Sequence, residues 1–244
     1  MILSMSQDDL PRVLILCGGR GTRLRTGAAS LPKPLVEIGG MPVVWHVVRL
    51  YAAQGFSRFT LLTGHRGDEV KSFAASAQWP SGIDVDCLDT GEDTPTGGRV
   101  QQAFQALGRQ TMCVTYADGV SNVDLLRVLQ ELKDSAAEAI VTVVRPELPF
   151  GVARLDGDHI VGFEEKPKSD EWVNGGFMVF TAEGADQIGP ADVLERGPLE
   201  TLAGNGKLLA HRHDGFWFCM DTYKDQVALN DLWEDGSAPW RNWN

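Results

Sequence analysis

An apolar run ends in three glycines within four residues in the stretch Leu14-Ile-Leu-Cys-Gly18-Gly19-Arg20-Gly21-Thr22-Arg23-Leu24. Gly18, Gly19 and Gly21 permit positive φ and leave backbone N–H groups bare, so an anion can approach the main chain. Arg20, Arg23 and Lys33 add full positive charge at the same place. Lys33 stands between Pro32 and Pro34, which predicts a stiff, non-helical segment that restrains it. This is chemistry for a polyphosphate. The pattern is not G-x-x-x-x-G-K-[ST], and no G-x-G-x-x-G with a following acidic residue occurs, which disfavours a P-loop and a dinucleotide fold. A tight strand-to-helix turn with solvated arginines is the plainer alternative, but it leaves Lys33 unexplained.

Further candidates lie downstream. Asp118 and Asp221 each follow an apolar segment that reads as a strand, and open α/β sheets place ligands at the C-terminal ends of strands. Two such carboxylates suit one shared magnesium ion, although a single strand-end aspartate is as readily a turn residue. Thr96-Gly-Gly-Arg99 opens a helix, where small residues let a planar ring lie on backbone, or where Thr96 simply caps the helix. Glu165-Lys166 after a strand would ordinarily be a solvated ion pair. The aromatics Phe216, Trp217, Phe218, Trp233, Trp240 and Trp243 read as core and interface.

Gly-Gly-Arg-Gly-Thr-Arg-Leu followed by Lys33-Pro34 and by Glu165-Lys166-Pro167 resembles the sugar-1-phosphate nucleotidylyltransferases. Tyr116-Ala-Asp118-Gly119, Asn174-Gly-Gly-Phe177, Gly215-Phe-Trp-Phe-Cys-Met-Asp221-Thr222 and Leu232-Trp-Glu-Asp-Gly-Ser-Ala-Pro-Trp240 are similar to the glucose-1-phosphate cytidylyltransferase branch. The likeness runs from about Pro11 to the C-terminus. It implies an NTP, CTP by the branch, and a sugar 1-phosphate as substrates, with Mg2+ as cofactor and a homo-oligomer as assembly. It also implies residue roles. Arg23 and Lys33 would be catalytic. Leu16, Gly18, Gly19, Gly21, Thr22, Arg23, Lys33, Thr96, Gly97, Gly98 and Asp118 would hold the nucleotide. Gly151, Glu165, Lys166, Asn174 and Gly175 would hold the sugar phosphate, and Asp118 and Asp221 the metal. Such a transfer requires charge cancellation and alignment of the attacking oxygen more than covalent chemistry from the protein. Three departures from the branch stand out: a short segment over 74–86, Ser169 in Lys-Ser-Asp, and Gly197 before Pro198. They bear on assembly and on the acceptor, leaving open another phosphorylated sugar or a sugar mimic; separate alternatives are a uridylyl or thymidylyl donor and a regulatory module that binds a nucleotide without catalysis.

The 244 residues suffice for a full core. Net charge is −11, which argues against nonspecific nucleic-acid binding, yet residues 1–50 hold six Lys/Arg against three acids. Cys17, Cys87, Cys113 and Cys219 show no C-x-x-C spacing, so neither zinc nor a disulfide framework is implied. No apolar stretch approaches a membrane span, and a cytoplasmic location is expected.

The elements that must position these residues alternate in the first half. Strands are predicted at 13–16, 59–63, 83–88, 112–116 and 139–144. Helices are predicted at 42–54, 69–77, 99–107 and 123–133, the last capped by Ser121 or Asn122. Such alternation predicts an α/β fold with a doubly wound, mostly parallel sheet, which the resemblance identifies as the Rossmann-like nucleotidyltransferase fold. The second half reads as a mixed α+β sugar-binding subregion, with a hairpin of 152–155 and 159–163, strands at 177–180, 208–213 and 216–218, and a helix at 222–233. The expected organisation is a flexible extension over 1–11 and a single domain over 12–244, its halves 12–145 and 146–244.

Overall fold

The computed structural model describes residues 10–20 and 31–243. The first half runs β1 (Arg12–Leu16), a single 3₁₀ turn at Lys33–Leu35, β2 (Glu37–Ile38), β3 (Met41–Pro42), α1 (Val43–Ala52), β4 (Arg58–Thr63), α2 (Gly67–Ser76), β5 (Asp84–Asp89), α3 (Thr96–Leu107), β6 (Met112–Tyr116), β7 (Gly119–Ser121), α4 (Leu125–Lys133) and β8 (Ala139–Val144). The second half runs β9 (Val152–Asp156), β10 (His159–Glu164), β11 (Val173–Asn174), β12 (Met178–Phe180), α5 (Ala182–Ala185), α6 (Pro198–Gly204), β13 (Leu208–His213), β14 (Trp217–Cys219) and α7 (Tyr223–Glu234).

The central sheet forms because β1, β4 and β6 are apolar on both faces. Val13 and Ile15 of β1 pack into one buried cluster with α1 and α4, while Leu14 packs into a second with α3 and α6. Burial on both faces is what a parallel, doubly wound sheet requires. The pairs β1–β4, β1–β6, β4–β5 and β8–β13 are parallel, and β12 runs antiparallel between β6 and β8. The line of β11 and β12 along β8 is broken at 175–177, where Gly176 and Phe177 both take positive φ.

Four expectations change. Leu10 is buried and its carbonyl accepts from Arg58 Nη2 at 2.9 Å, so the expected loose extension does not reach residues 10–11. Lys33 lies in a 3₁₀ turn closed by Leu35 N–H to Pro32 O at 2.8 Å, because proline is tolerated in the first turn of a helix. α4 begins at Leu125, since Asp124 rather than Ser121 or Asn122 accepts the capping bond, from Arg127 N–H. β7 and β14, with Phe216 outside the latter, form a separate antiparallel ribbon that the site depends on.

Candidate active site

The register of that ribbon places the two aspartates. Gly119 pairs with Cys219, Val120 with Phe218 and Ser121 with Trp217. One step further, Met220 N–H donates to Asp118 O at 2.9 Å. Asp118 and Asp221, a hundred residues apart in sequence, thereby flank the same end of the ribbon. Their carboxylates and the Cys219 sulfur lie within 4.8 Å of one another.

Lys33 meets this pair. Its Nζ is 2.6 Å from Asp118 Oδ2 and 2.6 Å from Asp221 Oδ1. Buried Pro32 and Pro34 on either side fix the turn that carries it. Burial works against the Lys33 charge, but Asp118 and then Asp221 outweigh it and lift its pKa above the usual lysine range. Cys219 is pushed up to about 12 by burial and by the two aspartates, so it is a thiol near neutral pH.

Two clefts adjoin this centre. One of about 380 Å³ is lined by Leu16, Gly18, Gly19, Lys33, Thr96, Tyr116 and Asp118, all but Tyr116 expected nucleotide contacts. The other, of about 660 Å³, is lined by Arg145, Lys168, Trp217, Cys219 and Asp221 among others. The Lys33 bridge stands where they approach each other. Gly21, Thr22 and Arg23 lie outside the described residues. Arg20 pairs with Asp93 at 2.6 Å.

Gly97 and Gly98 have a packing role that the sequence did not signal. A Cβ on Gly97 would lie 2.7 Å from Asp192 O, and one on Gly98 2.2 Å from Pro190 O, so these glycines let α3 seat against the 190–192 loop. Their neighbour Arg99 is 4% exposed. Its guanidinium donates to Thr63 O, Thr90 Oγ1 and Gly91 O at 2.9, 2.5 and 2.9 Å, and to Gly18 O and Glu92 O at 3.1 Å each. A Cβ on Gly18 would lie 2.2 Å from Arg99 Nη1. The glycine loop is therefore anchored from below by a buried cation.

On the acceptor side, Gly151 faces Phe163 and Glu165: a Cβ there would stand 2.4 Å from Phe163 Cζ and 2.9 Å from Glu165 Oε2. Lys166 has φ +48°, a left-handed conformation that costs a non-glycine residue about 1 kcal/mol. Gly175 O accepts from Trp217 Nε1 at 2.8 Å, and Asn174 Nδ2 donates to Tyr116 Oη at 3.4 Å. Sequence reasoning missed Tyr116 and Arg99 as members of the site, and Glu195 behind them, whose carboxylate accepts from Tyr116 Oη and from Thr96 Oγ1. Tyr116 had a signal, since it sits two residues before Asp118; Glu195 lies in a stretch where no element was expected.

The nucleotidyl transferase family model matches residues 12–238. The chain is 34% identical over 254 residues to a Bacillus subtilis (strain 168) protein named "Probable glucose-1-phosphate cytidylyltransferase", covering 95% of this chain and 100% of that one. It is 34% identical over 259 residues to the glucose-1-phosphate cytidylyltransferase of Salmonella typhi, covering 95% and 99%. Among solved structures, HddC from Yersinia pseudotuberculosis complexed with GMP-PN superposes with a TM-score of 0.72 at 20% identity, over 92% of this chain and 100% of that one.

Proposed function

The chain belongs to the nucleotidyl transferase family, and we propose that it joins the cytidylyl group of CTP to glucose 1-phosphate, releasing pyrophosphate. The observation that carries this reading is the end-to-end 34% identity to relatives bearing that name, together with Lys33, Asp118 and Asp221 gathered at one point between two clefts.

In this reading the triphosphate lies over the backbone of Gly18 and Gly19, with Arg23 and Thr22 as further ligands. The sugar 1-phosphate lies on the other side of the Lys33 centre, its phosphate toward Lys166 and its hydroxyls toward Glu165, Asn174 and the backbone near Gly151 and Gly175. Its phosphate oxygen attacks the α-phosphorus directly, and pyrophosphate leaves. Lys33 follows the charge that develops near the α-phosphate, where a fixed cation acts most strongly. The donor set fits magnesium: Asp118 and Asp221 present hard oxygens close enough together to hold a cation between them. Held by Asp118 and Asp221, magnesium would neutralise charge on the phosphate oxygens. Cys219, a soft and protonated thiol, is not counted among its ligands.

The same reading takes 12–244 as one domain, with the donor held mainly by 12–145 and the acceptor by 146–244. It takes the enzyme as cytoplasmic, in keeping with four free cysteines. It also takes it as a homo-oligomer, supported by the apolar side chains Phe150, Leu155, Ile160 and Phe163 exposed on and beside the β9–β10 ribbon. No helix among the described residues is long and apolar enough to cross a membrane. The test is a pyrophosphate-release screen of CTP, UTP, dTTP and GTP with glucose 1-phosphate. Highest turnover with CTP is expected; highest turnover with another NTP would remove the cytidylyl assignment.

A further inference from the structure

We propose that Glu195 is a positioning residue for the acceptor sugar, acting through Tyr116 on Asn174. The proposal rests on the reading of Asn174 as an acceptor contact.

The 190–196 loop brings the half-buried Glu195 against Tyr116 and Thr96. One carboxylate oxygen accepts from the Tyr116 hydroxyl, and the other from Thr96 Oγ1 at 3.0 Å. Thr96 Oγ1 in turn accepts from Leu194 N–H at 2.8 Å, which holds the loop against the start of α3. A carboxylate can only accept. Both hydroxyl protons are therefore committed to Glu195, and the Tyr116 oxygen keeps its lone pairs for a donor.

The donor is Asn174 Nδ2, at 3.4 Å from Tyr116 Oη. At its other end, Asn174 Oδ1 accepts from Gly176 N–H at 2.8 Å. The amide is thus fixed in one of its two orientations, nitrogen toward Tyr116 and oxygen toward the strand break. What is left to face a ligand is the second Nδ2 proton, a donor, on one side of the amide and the remaining Oδ1 lone pair, an acceptor, on the other. Glu195 touches neither Asn174 nor, in this scheme, the sugar, yet by keeping the Tyr116 oxygen an acceptor it works with Gly176 N–H to fix which side of the Asn174 amide donates and which accepts. A glutamine there could donate to the Tyr116 oxygen and compete with Asn174 for it.

The test is steady-state kinetics of wild type, Glu195→Gln, Tyr116→Phe and the double variant, each varied in CTP and in glucose 1-phosphate. Circular dichroism melts should stay within about 3 °C of wild type, as small changes in stability allow for a chain of this size. Each single variant is expected to raise KM for glucose 1-phosphate about tenfold, the size of one lost hydrogen bond, and by a larger factor than it changes kcat or the CTP KM, although Tyr116 and Thr96 also border the nucleotide cleft. The double variant should be no worse than Tyr116→Phe alone, because residues acting through one another are not additive. Multiplying effects, a shift in the CTP KM instead, or an unchanged acceptor KM in Glu195→Gln would each overturn the proposal. Calorimetric titration of glucose 1-phosphate onto the same four proteins separates the two layers of argument. A wild type idle with every donor and acceptor defeats the reaction reading, whereas equal affinity of wild type and Glu195→Gln defeats the role of Glu195 alone.

Discussion

Arg99→Met tests how the glycine loop is held. The guanidinium binds five acceptors, but their dependence on it differs. Thr63 O also accepts from Thr90 N–H at 3.0 Å and Thr90 Oγ1 at 2.7 Å, and Gly18 O accepts from His65 N–H at 3.3 Å. Gly91 O and Glu92 O have no second donor among the described residues. Hydrogen bonds to a charged group contribute about 1.5–3 kcal/mol each, and part of that loss is offset because methionine carries no buried charge. Burial of the charge is a real cost, since it is the main cause of the lowered Arg99 pKa. We expect a net destabilisation of about 3 kcal/mol, or a melting temperature lower by roughly 6–12 °C. Because Gly18 loses its tie to the 90–92 turn, the NTP KM should rise about tenfold with the sugar-phosphate KM unchanged. Urea unfolding and initial-rate kinetics measure both. A loss under about 1 kcal/mol, or an unchanged NTP KM, would refute the anchoring argument.

Glu165→Gln should reorder turnover among glucose, galactose, mannose and glucosamine 1-phosphates, while Lys166→Ala should depress all four alike by on the order of 10–100-fold in kcat/KM; a uniform loss in Glu165→Gln would make that glutamate structural. His46 is fully buried, with Nε2 2.8 Å from Ile38 O and Nδ1 3.4 Å from Trp240 Nε1, and burial lowers its pKa to about 4. With a folded pKa below the unfolded one, its stabilising effect is complete above about pH 6.5 and is lost as pH falls toward about 4, reaching about 2 kcal/mol lost at pH 5. Denaturant unfolding of wild type should therefore weaken between pH 7 and pH 5 by about 2 kcal/mol more than that of His46→Gln, and equal slopes would contradict the assignment.

The alternating half of the fold was legible because its strands are apolar on both faces and its helices amphipathic, so burial follows the sequence period. The misses have local causes. β7 is three buried residues after a turn, too short to show a period, and its partner β14 lies almost a hundred residues away. Spacing alone therefore could not bring Asp118 beside Asp221; the resemblance suggested the pair, and the ribbon register accounts for it. α6 starts after Gly197, an N-cap residue with no side chain to signal it, and the stretch before it has little regular structure. Glu195 stayed invisible for that reason. The packing of Gly97 and Gly98 against the backbone of Asp192 and Pro190 was likewise not legible, because glycine reports only that something comes close.

The central claim is that the Lys33–Asp118–Asp221 cluster is where the nucleotidyl group is transferred. Lys33→Ala, followed by chromatographic detection of CDP-glucose from CTP and glucose 1-phosphate, tests it most directly. A kcat lower by on the order of 10²–10³ with both KM values within about threefold is predicted, the signature of a charge contact made in the transition state. A raised KM with kcat intact would contradict it.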